Sequence, residues 1–411
     1  MADFGLLGEK LGHSFSPQIH RELGGYDYDL IELCPEELEA FFRRREFRGI
    51  NVTIPYKQAV IPYLDELTPL ARRVGAVNTI VKDAAGRLTG HNTDVAGFTA
   101  MMRRGGLDPK GRKCLVLGSG GASKTAVLCL RDLGAREVRV ISRRGEDHYG
   151  NLDRHGDAEL IVNATPVGMY PNNGAAPLDL AGFPRLMGVA DLIYNPARTA
   201  LLLQAEARGI PAVNGLMMLV AQGREAAERF LGRAIPPSEE ERVAGLLARE
   251  TENIVLIGMP GCGKSTVGRL LAERTGRPLT DTDGMIERAA GMTCGELIRQ
   301  RGEAAFREME TRAAMEAGKA SGTIIATGGG IVTRAENRDP LRQNGRLFHL
   351  DRPVEKLSAE GDRPLSQTRA QLEALYQARA LLYAAWRDIR IAAETPGEAA
   401  AAIIREGGYI R

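Results

Sequence analysis

Two glycine-rich loops and a set of short polar clusters hold the residues able to do chemistry. The more specific loop is Gly258-Met259-Pro260-Gly261-Cys262-Gly263-Lys264-Ser265-Thr266, which follows the apolar run Asn253–Ile257 and precedes a helical pattern bearing Leu270, Leu271 and Ala272. Glycines, a lysine and a hydroxyl at this spacing between strand and helix suit a nucleoside triphosphate. Backbone amides of Gly261, Cys262, Gly263 and Thr266 would cradle the phosphates, Lys264 would reach the outer ones, and the Ser265 hydroxyl would ligate magnesium. ATP and Mg2+ are the ligands expected. Cys262 reads either as a small spacer or as a thiol-sensitive position.

Downstream, Asp281-Thr282-Asp283 offers two carboxylates at alternate positions. Asp281 could help hold the metal through water while Asp283 orients an acceptor hydroxyl; the bland alternative is a polar turn ahead of a helix at 285–290. Arg307 lies on a helical segment with Glu308 and Glu310, where a surface ion pair is the simple expectation. Gly328-Gly329-Gly330 ends a strand, either to press amides against a ligand or to turn.

The second loop, Gly118-Ser119-Gly120-Gly121-Ala122-Ser123, follows the strand Lys113–Leu117 and precedes a helix expected over 124–133. This is the context of a dinucleotide loop, in which a pyrophosphate sits at the positive end of the helix. Ser123 stands where the general fingerprint has its third glycine. The next strand, Glu137–Ile141, ends at Ser142-Arg143-Arg144 rather than at an acidic residue. Arginines there suit a 2′-phosphate and predict NADP(H), while Glu146 and Asp147 nearby keep NAD open.

Strands at 114–117, 137–141, 160–163, 189–192, 253–257, 323–326 and 346–350 alternate with helical stretches, so the fold class is α/β with parallel sheets covered by helices. A boundary falls within 232–252, where Pro236-Pro237 precedes an acidic helix start and a new strand opens at Asn253. Domains are expected at 1–249 and 250–411. Within the first, a substrate-binding part covers about 1–100 with C-terminal helices, and an NADP-binding Rossmann part covers about 101–215.

The chain has 411 residues with a formal net charge of +2, 44% hydrophobic and 26% charged residues. That balance is of a globular protein and gives no basic stripe for nucleic acid. Five scattered cysteines without a C-x-x-C pair suit a reducing compartment, and the location expected is cytoplasmic. No apolar run approaches the roughly 20 residues that span a bilayer, so no membrane partner is expected. A homodimer is compatible with these features.

Upstream lie His13-Ser14-Phe15-Ser16-Pro17, Asn51-Val52-Thr53-Ile54-Pro55-Tyr56-Lys57, Ala76-Val77-Asn78-Thr79 and Gly90-His91-Asn92-Thr93-Asp94. Loops of small polar residues can converge on a polyhydroxylated ligand. Reduction of a ketone needs a proton donor for the developing alkoxide, which a lysine beside a carboxylate supplies; Lys57 and Asp94 are the pair. His91 reads as a surface histidine. From about Phe4 to Leu247 the chain resembles the shikimate dehydrogenase family. The resemblance implies that Ser14 and Ser16 contact the substrate carboxylate, that Thr53, Asn78, Tyr194 and Gln222 contact substrate, and that Gly215 lies near the nicotinamide. Its substrate would be 3-dehydroshikimate.

Over nearly all of Asn253–Arg411 the chain resembles shikimate kinase, through the Walker-type loop, Asp281-Thr282-Asp283, Phe306-Arg307-Glu308-Met309-Glu310 and the triple glycine. A P-loop fold like that of nucleoside monophosphate kinases is implied. So is shikimate binding by Asp283, Arg307, Gly329 and Arg379, with Arg363 as a lid arginine over ATP. The stretch before Arg363-Pro364-Leu365 looks shorter than the family's lid. The two resemblances share one metabolite, the product of the first reaction and substrate of the second, and imply a bifunctional enzyme of the shikimate pathway.

Overall fold

A strand buried on both faces reads as a nearly continuous apolar run, and Lys113–Leu117 and Asn253–Ile257, each apolar after its first residue, are buried at every position. Each lies inside a parallel sheet with a strand on either side. The computed structural model describes residues 3–12, 14–358 and 368–409. The chain forms two compact units, one built on residues up to Met169 with Ala175–Tyr194 and Leu201–Leu246, the other on Leu247 onward with Tyr170–Gly174 and Asn195–Ala200.

The first unit holds two sheets. Strands β1 (Phe4–Gly8), β2 (Tyr28–Glu32), β3 (Gly49–Val52), β4 (Glu66–Leu67), β5 (Thr79–Lys82) and β6 (Leu88–His91) lie in the order β2-β1-β3-β5-β6-β4. β5 alone runs antiparallel to its neighbours β3 and β6. Asn51 therefore pairs with Thr79, and Thr79 with His91, so the end of β3, the start of β5 and the end of β6 share one edge. The second sheet is all parallel, with β7 (Lys113–Leu117), β8 (Glu137–Ile141), β9 (Leu160–Asn163), β10 (Gly188–Asp191) and β11 (Ala212–Val213) in the order β11-β10-β9-β7-β8. The order reverses at β7, and the crevice beyond its carboxyl end is where such sheets bind ligands.

The second unit repeats that logic with β12 (Asn253–Ile257), β13 (Leu279–Asp281), β14 (Ile324–Ala326), β15 (Gly345–Leu350) and β16 (Ile389–Ile391) in the parallel order β13-β14-β12-β15-β16. Its core gathers Ile254, Leu256, Leu271, Ile325 and Phe348, none exposed. The strands fall within a residue of those expected. Two helices start earlier than their apolar pattern: Gly121–Asp132 opens straight from the extended Gly120, and Thr282–Ala290 opens at Thr282 because the Asp281 carboxylate accepts from the Asp283 amide and caps it.

In the first unit the helix Asp94–Arg104 packs on the helix Leu216–Leu231. Gly97 makes the approach feasible, since a Cβ there would stand 2.5 Å from the Met218 carbonyl oxygen. Gly97→Ala should force the helices apart and cost ~1–3 kcal/mol, as overpacking does. A urea titration reads this as a lower midpoint, and an unchanged midpoint would mean the helices part freely.

Candidate active sites

On the shared edge of the first sheet, the loops after β1 and β3 and those flanking β5 and β6 bring Ser14, Ser16, Thr53, Lys57, Asn78 and Asp94 to one side. Lys57 Nζ donates to Asp94 Oδ2 at 2.7 Å, with the lysine 27% and the aspartate 12% exposed. Asp94 opens the helix Asp94–Arg104, where helix polarity favours its negative charge. Its second oxygen accepts from Asn78 Nδ2 at 2.9 Å, and its amide donates to Asn92 Oδ1. Asn78 is buried and its side-chain Oδ1 accepts from the Thr93 amide at 2.7 Å, so the side chain expected at substrate is engaged in holding Asp94. Behind it, Asn51 Nδ2 donates to Thr79 Oγ1 and to the Asn78 carbonyl, while Asn51 Oδ1 accepts from the Tyr28 hydroxyl.

Phe15, between the two serines, packs its ring on Tyr194 at 5.8 Å, and the Ser16 amide donates to Ser14 Oγ. Gln222 is carried by the helix Leu216–Leu231, packed on that of Asp94. His91 is a correction: it is only half exposed, its Nδ1 lacks a hydrogen-bond partner among the described residues, and burial with the nearby Arg229 charge lowers its pKa to about 4. It stays neutral at physiological pH.

At the switch point of the second sheet, Ser119, Gly120, Gly121 and Ala122 are exposed at the start of the helix Gly121–Asp132, and open space surrounds the Cα of both glycines. Free amides beside open space fit a pyrophosphate. Ser123 is buried, doing the packing that the third glycine of the fingerprint would do. Arg143 and Arg144 are exposed and form no ion pair among the described residues, and Ser142 is half-buried beside them. Of the two acidic residues that kept NAD open, Glu146 is exposed, while Asp147 is buried against His155 Nε2 at 2.9 Å with Arg139 and Arg154 nearby. Asp147 is therefore unavailable to a ribose. Across the crevice, Asn163 accepts from the amide and hydroxyl of Thr165 and donates to the fully buried Asp191, which fixes the loop after β9. Gly215 sits against Leu192, where a Cβ would meet the carbonyl oxygen at 2.0 Å.

In the second unit a cavity of about 200 Å³ is lined by Gly261, Gly263, Lys264, Ser265, Thr266, Asp283, Arg307, Gly329 and Arg379. Cys262 is buried behind it. Lys264 Nζ folds back onto the Gly258 and Met259 carbonyls at 2.8 and 2.9 Å. Ser265 Oγ donates to Asp281 Oδ2 at 2.9 Å, bringing together two oxygens of the kind magnesium takes, with water completing its shell. Burial, reinforced by the Asp281 charge, pushes the Asp283 carboxyl up to about 6. Its Oδ1 is shielded from water and has no hydrogen-bond partner among the described residues, an acceptor waiting for a ligand's donor.

Arg307 forms the expected i, i+3 pair with Glu310 at 2.7 Å, but not at the surface: the two side chains are 8% and 0% exposed. A buried pair of this kind is costly to break. Gly330 gives the guanidinium its place, because a Cβ there would lie 1.8 Å from Nη1. Arg379 Nη1 donates to the Gly329 carbonyl, and so does the hydroxyl of Tyr383, one helical turn along. Tyr383 and Glu303 escaped the sequence reading; only their spacing from Arg379 and Arg307 on the same helices could have pointed to them. Arg363 lies outside the described residues.

A shikimate dehydrogenase substrate-binding-domain family matches residues 6–80, and a shikimate kinase family matches residues 260–406. An NADP(+)-dependent shikimate dehydrogenase of Clostridium perfringens is 36% identical over 262 residues, covering 58% of this chain and 96% of that protein. The crystal structure of shikimate dehydrogenase 1 from Peptoclostridium difficile is 36% identical with a TM-score of 0.55, over 60% of this chain and 98% of that one. The Thermus thermophilus enzyme, solved with NADP(H) and shikimate, is 36% identical with a TM-score of 0.53, over 59% and 98%. The chain thus belongs to the shikimate dehydrogenase family and carries a shikimate kinase domain behind it, a fusion of two enzymes.

Proposed function

We propose that residues 1–249 reduce 3-dehydroshikimate to shikimate with NADPH, and that residues 250–411 phosphorylate the shikimate 3-hydroxyl with ATP, in a cytoplasmic homodimer. The observation that carries this reading is the second unit's cavity, lined together by a phosphate loop, Asp283 and two buried arginines. Five free cysteines support a reducing location.

When bound, NADPH supplies a hydride and ATP with magnesium a phosphoryl group. Lys57 holds its proton toward the substrate's carbonyl oxygen and gives it up as that oxygen becomes an alkoxide. Asp94 fixes the ammonium and accepts from a neighbouring substrate hydroxyl, itself held by Asn78. Ser14 and Ser16 present hydroxyl donors to the substrate carboxylate, with Thr53, Tyr194 and Gln222 closing around the ring. The amides of residues 119–122 would receive the pyrophosphate, with Gly118 turning the loop while its own amide donates to the Ile141 carbonyl; Arg143 and Arg144 would take the 2′-phosphate, and Gly215 would lie near the nicotinamide. That Asp147 is occupied by His155 supports NADP over NAD.

In the second unit Arg307 and Arg379 hold the carboxylate of shikimate and Gly329 supports its ring. Asp283 accepts the proton of the 3-hydroxyl as the hydroxyl oxygen bonds to the γ-phosphorus and the bond from that phosphorus to the bridging oxygen breaks, releasing ADP; Lys264 and Arg363 offset charge on the transferring group. Ser265 and Asp281 would hold the magnesium.

Purified protein given 3-dehydroshikimate, NADPH, ATP and magnesium should consume NADPH and yield shikimate 3-phosphate by mass, the second product only with ATP. Lys57→Ala should cut NADPH oxidation roughly 10²–10⁴-fold and leave phosphorylation of added shikimate intact. Lys264→Ala should do the reverse. A reduction that runs equally well with the lysine gone would sink the proton-donor role.

The pH dependence follows from Asp283. Its carboxylate is the active form, so phosphorylation kcat/KM should fall as pH drops through about 6. Asp281→Asn removes a neighbouring negative charge and lowers the Asp283 pKa, so the acidic limb should move to lower pH whatever happens to the absolute rate. A limb that stays in place would assign it to another group.

A further inference from the structure

Arg307 has a second partner besides Glu310. Its Nε and Nη2 donate to one oxygen of Glu303 at 3.1 and 2.8 Å. This is the side edge of the guanidinium, one of the faces on which arginine takes a carboxylate in a two-pronged grip. The two glutamates differ in setting. Glu310 is wholly buried, whereas the Glu303 side chain is 48% exposed. Glu303 follows Gly302, whose φ of 84° and ψ of 163° break the helix Cys294–Gly318 at that point.

We propose that Glu303 is an internal stand-in for the substrate carboxylate: it occupies the side edge of Arg307 while the site is empty and swings into solvent when shikimate arrives. The proposal rests on the assignment of shikimate to this cavity. Three features carry it. The exposed Glu303 carboxylate regains its water on leaving, while Glu310 has no such escape and remains the permanent partner. The break at Gly302 frees the chain just before Glu303 from the helix that holds Arg307. Charge also balances: of the charged residues lining the cavity, Lys264, Arg307 and Arg379 outnumber Asp283 and Glu310 by one, and Glu303, paired with Arg307 from beside the cavity, offsets that excess. Its departure leaves one net positive charge, matching a monocarboxylic acid. Glu303 is thus a specificity device, since a neutral ligand gains nothing from displacing it.

Glu303→Gln keeps the shape and removes the charge that competes. In the full-length protein with saturating ATP, KM for shikimate in phosphorylation should fall about two- to fivefold, the worth of a partly exposed ion pair, with kcat and KM for ATP unchanged. The methyl ester of shikimate, which lacks the negative charge, should show no such gain. A KM that rises, or a kcat that falls, would overturn the proposal and make Glu303 a strut for Arg307. An equal gain for ester and acid would overturn it too. If the wild-type protein does not phosphorylate shikimate at all, the substrate assignment fails; calorimetric titration of shikimate into both proteins without ATP then decides the stand-in role alone, since tighter binding to the variant supports it and equal or weaker binding refutes it.

Discussion

A parallel strand that feeds a helix leaves backbone amides unpaired at the helix start, and in this protein those amides fall at the two places where a sheet's strand order reverses. β7 lies between β8 and β9, and β12 between β14 and β15. At each, the connections on either side diverge and leave a crevice beyond the strand end. The glycines of the following loops keep the amides bare. Everything else in either site is arranged around where that crevice lets a phosphate sit, and the reacting centre must fall within reach of it.

The charged groups are stabilised in opposite ways in the two units. Lys57 and Asp94 form a close but partly solvated pair, with Asp94 steadied by Asn78 and the helix start. Such a pair can pass a proton without stranding a buried charge. Arg307 and Glu310 are nearly sealed from water, which fixes the guanidinium at the cost of desolvating both. A proton donor needs access to change its charge state, while a carboxylate anchor needs only to stay put.

Both glycine loops, the lysine and aspartate pair, and the Asp281-Thr282-Asp283 segment were legible in the sequence, because each depends on local spacing within one strand–loop–helix unit. What lay hidden depended on distant packing. The commitment of Asp147 to His155 needs the turn at 149–155, which carries His155 into the interior. The route from Tyr28 through Asn51 and Thr79 to Asn78 exists only because β3 and β5 pair in one register. Arg307 looked like a surface ion pair because its i, i+3 partner is the same whether that helix face meets solvent or core. Helix starts at Gly121 and Thr282 were misplaced for a related reason: glycine and aspartate there are chosen for the ligand and the cap, and do not follow the apolar period.

On the proposed reading the two units grip the same acid with different chemistry. Hydroxyls of Ser14 and Ser16 are neutral donors that hold a carboxylate without a net charge of their own. The guanidiniums of Arg307 and Arg379 are charges held on buried side chains, where attraction is stronger and the penalty of an unmatched charge greater. A site that both forms and releases shikimate is served by the weaker grip. A site that must keep shikimate in line with a transferring phosphoryl group, itself anionic, is served by fixed positive charge that offsets the repulsion between the two anions.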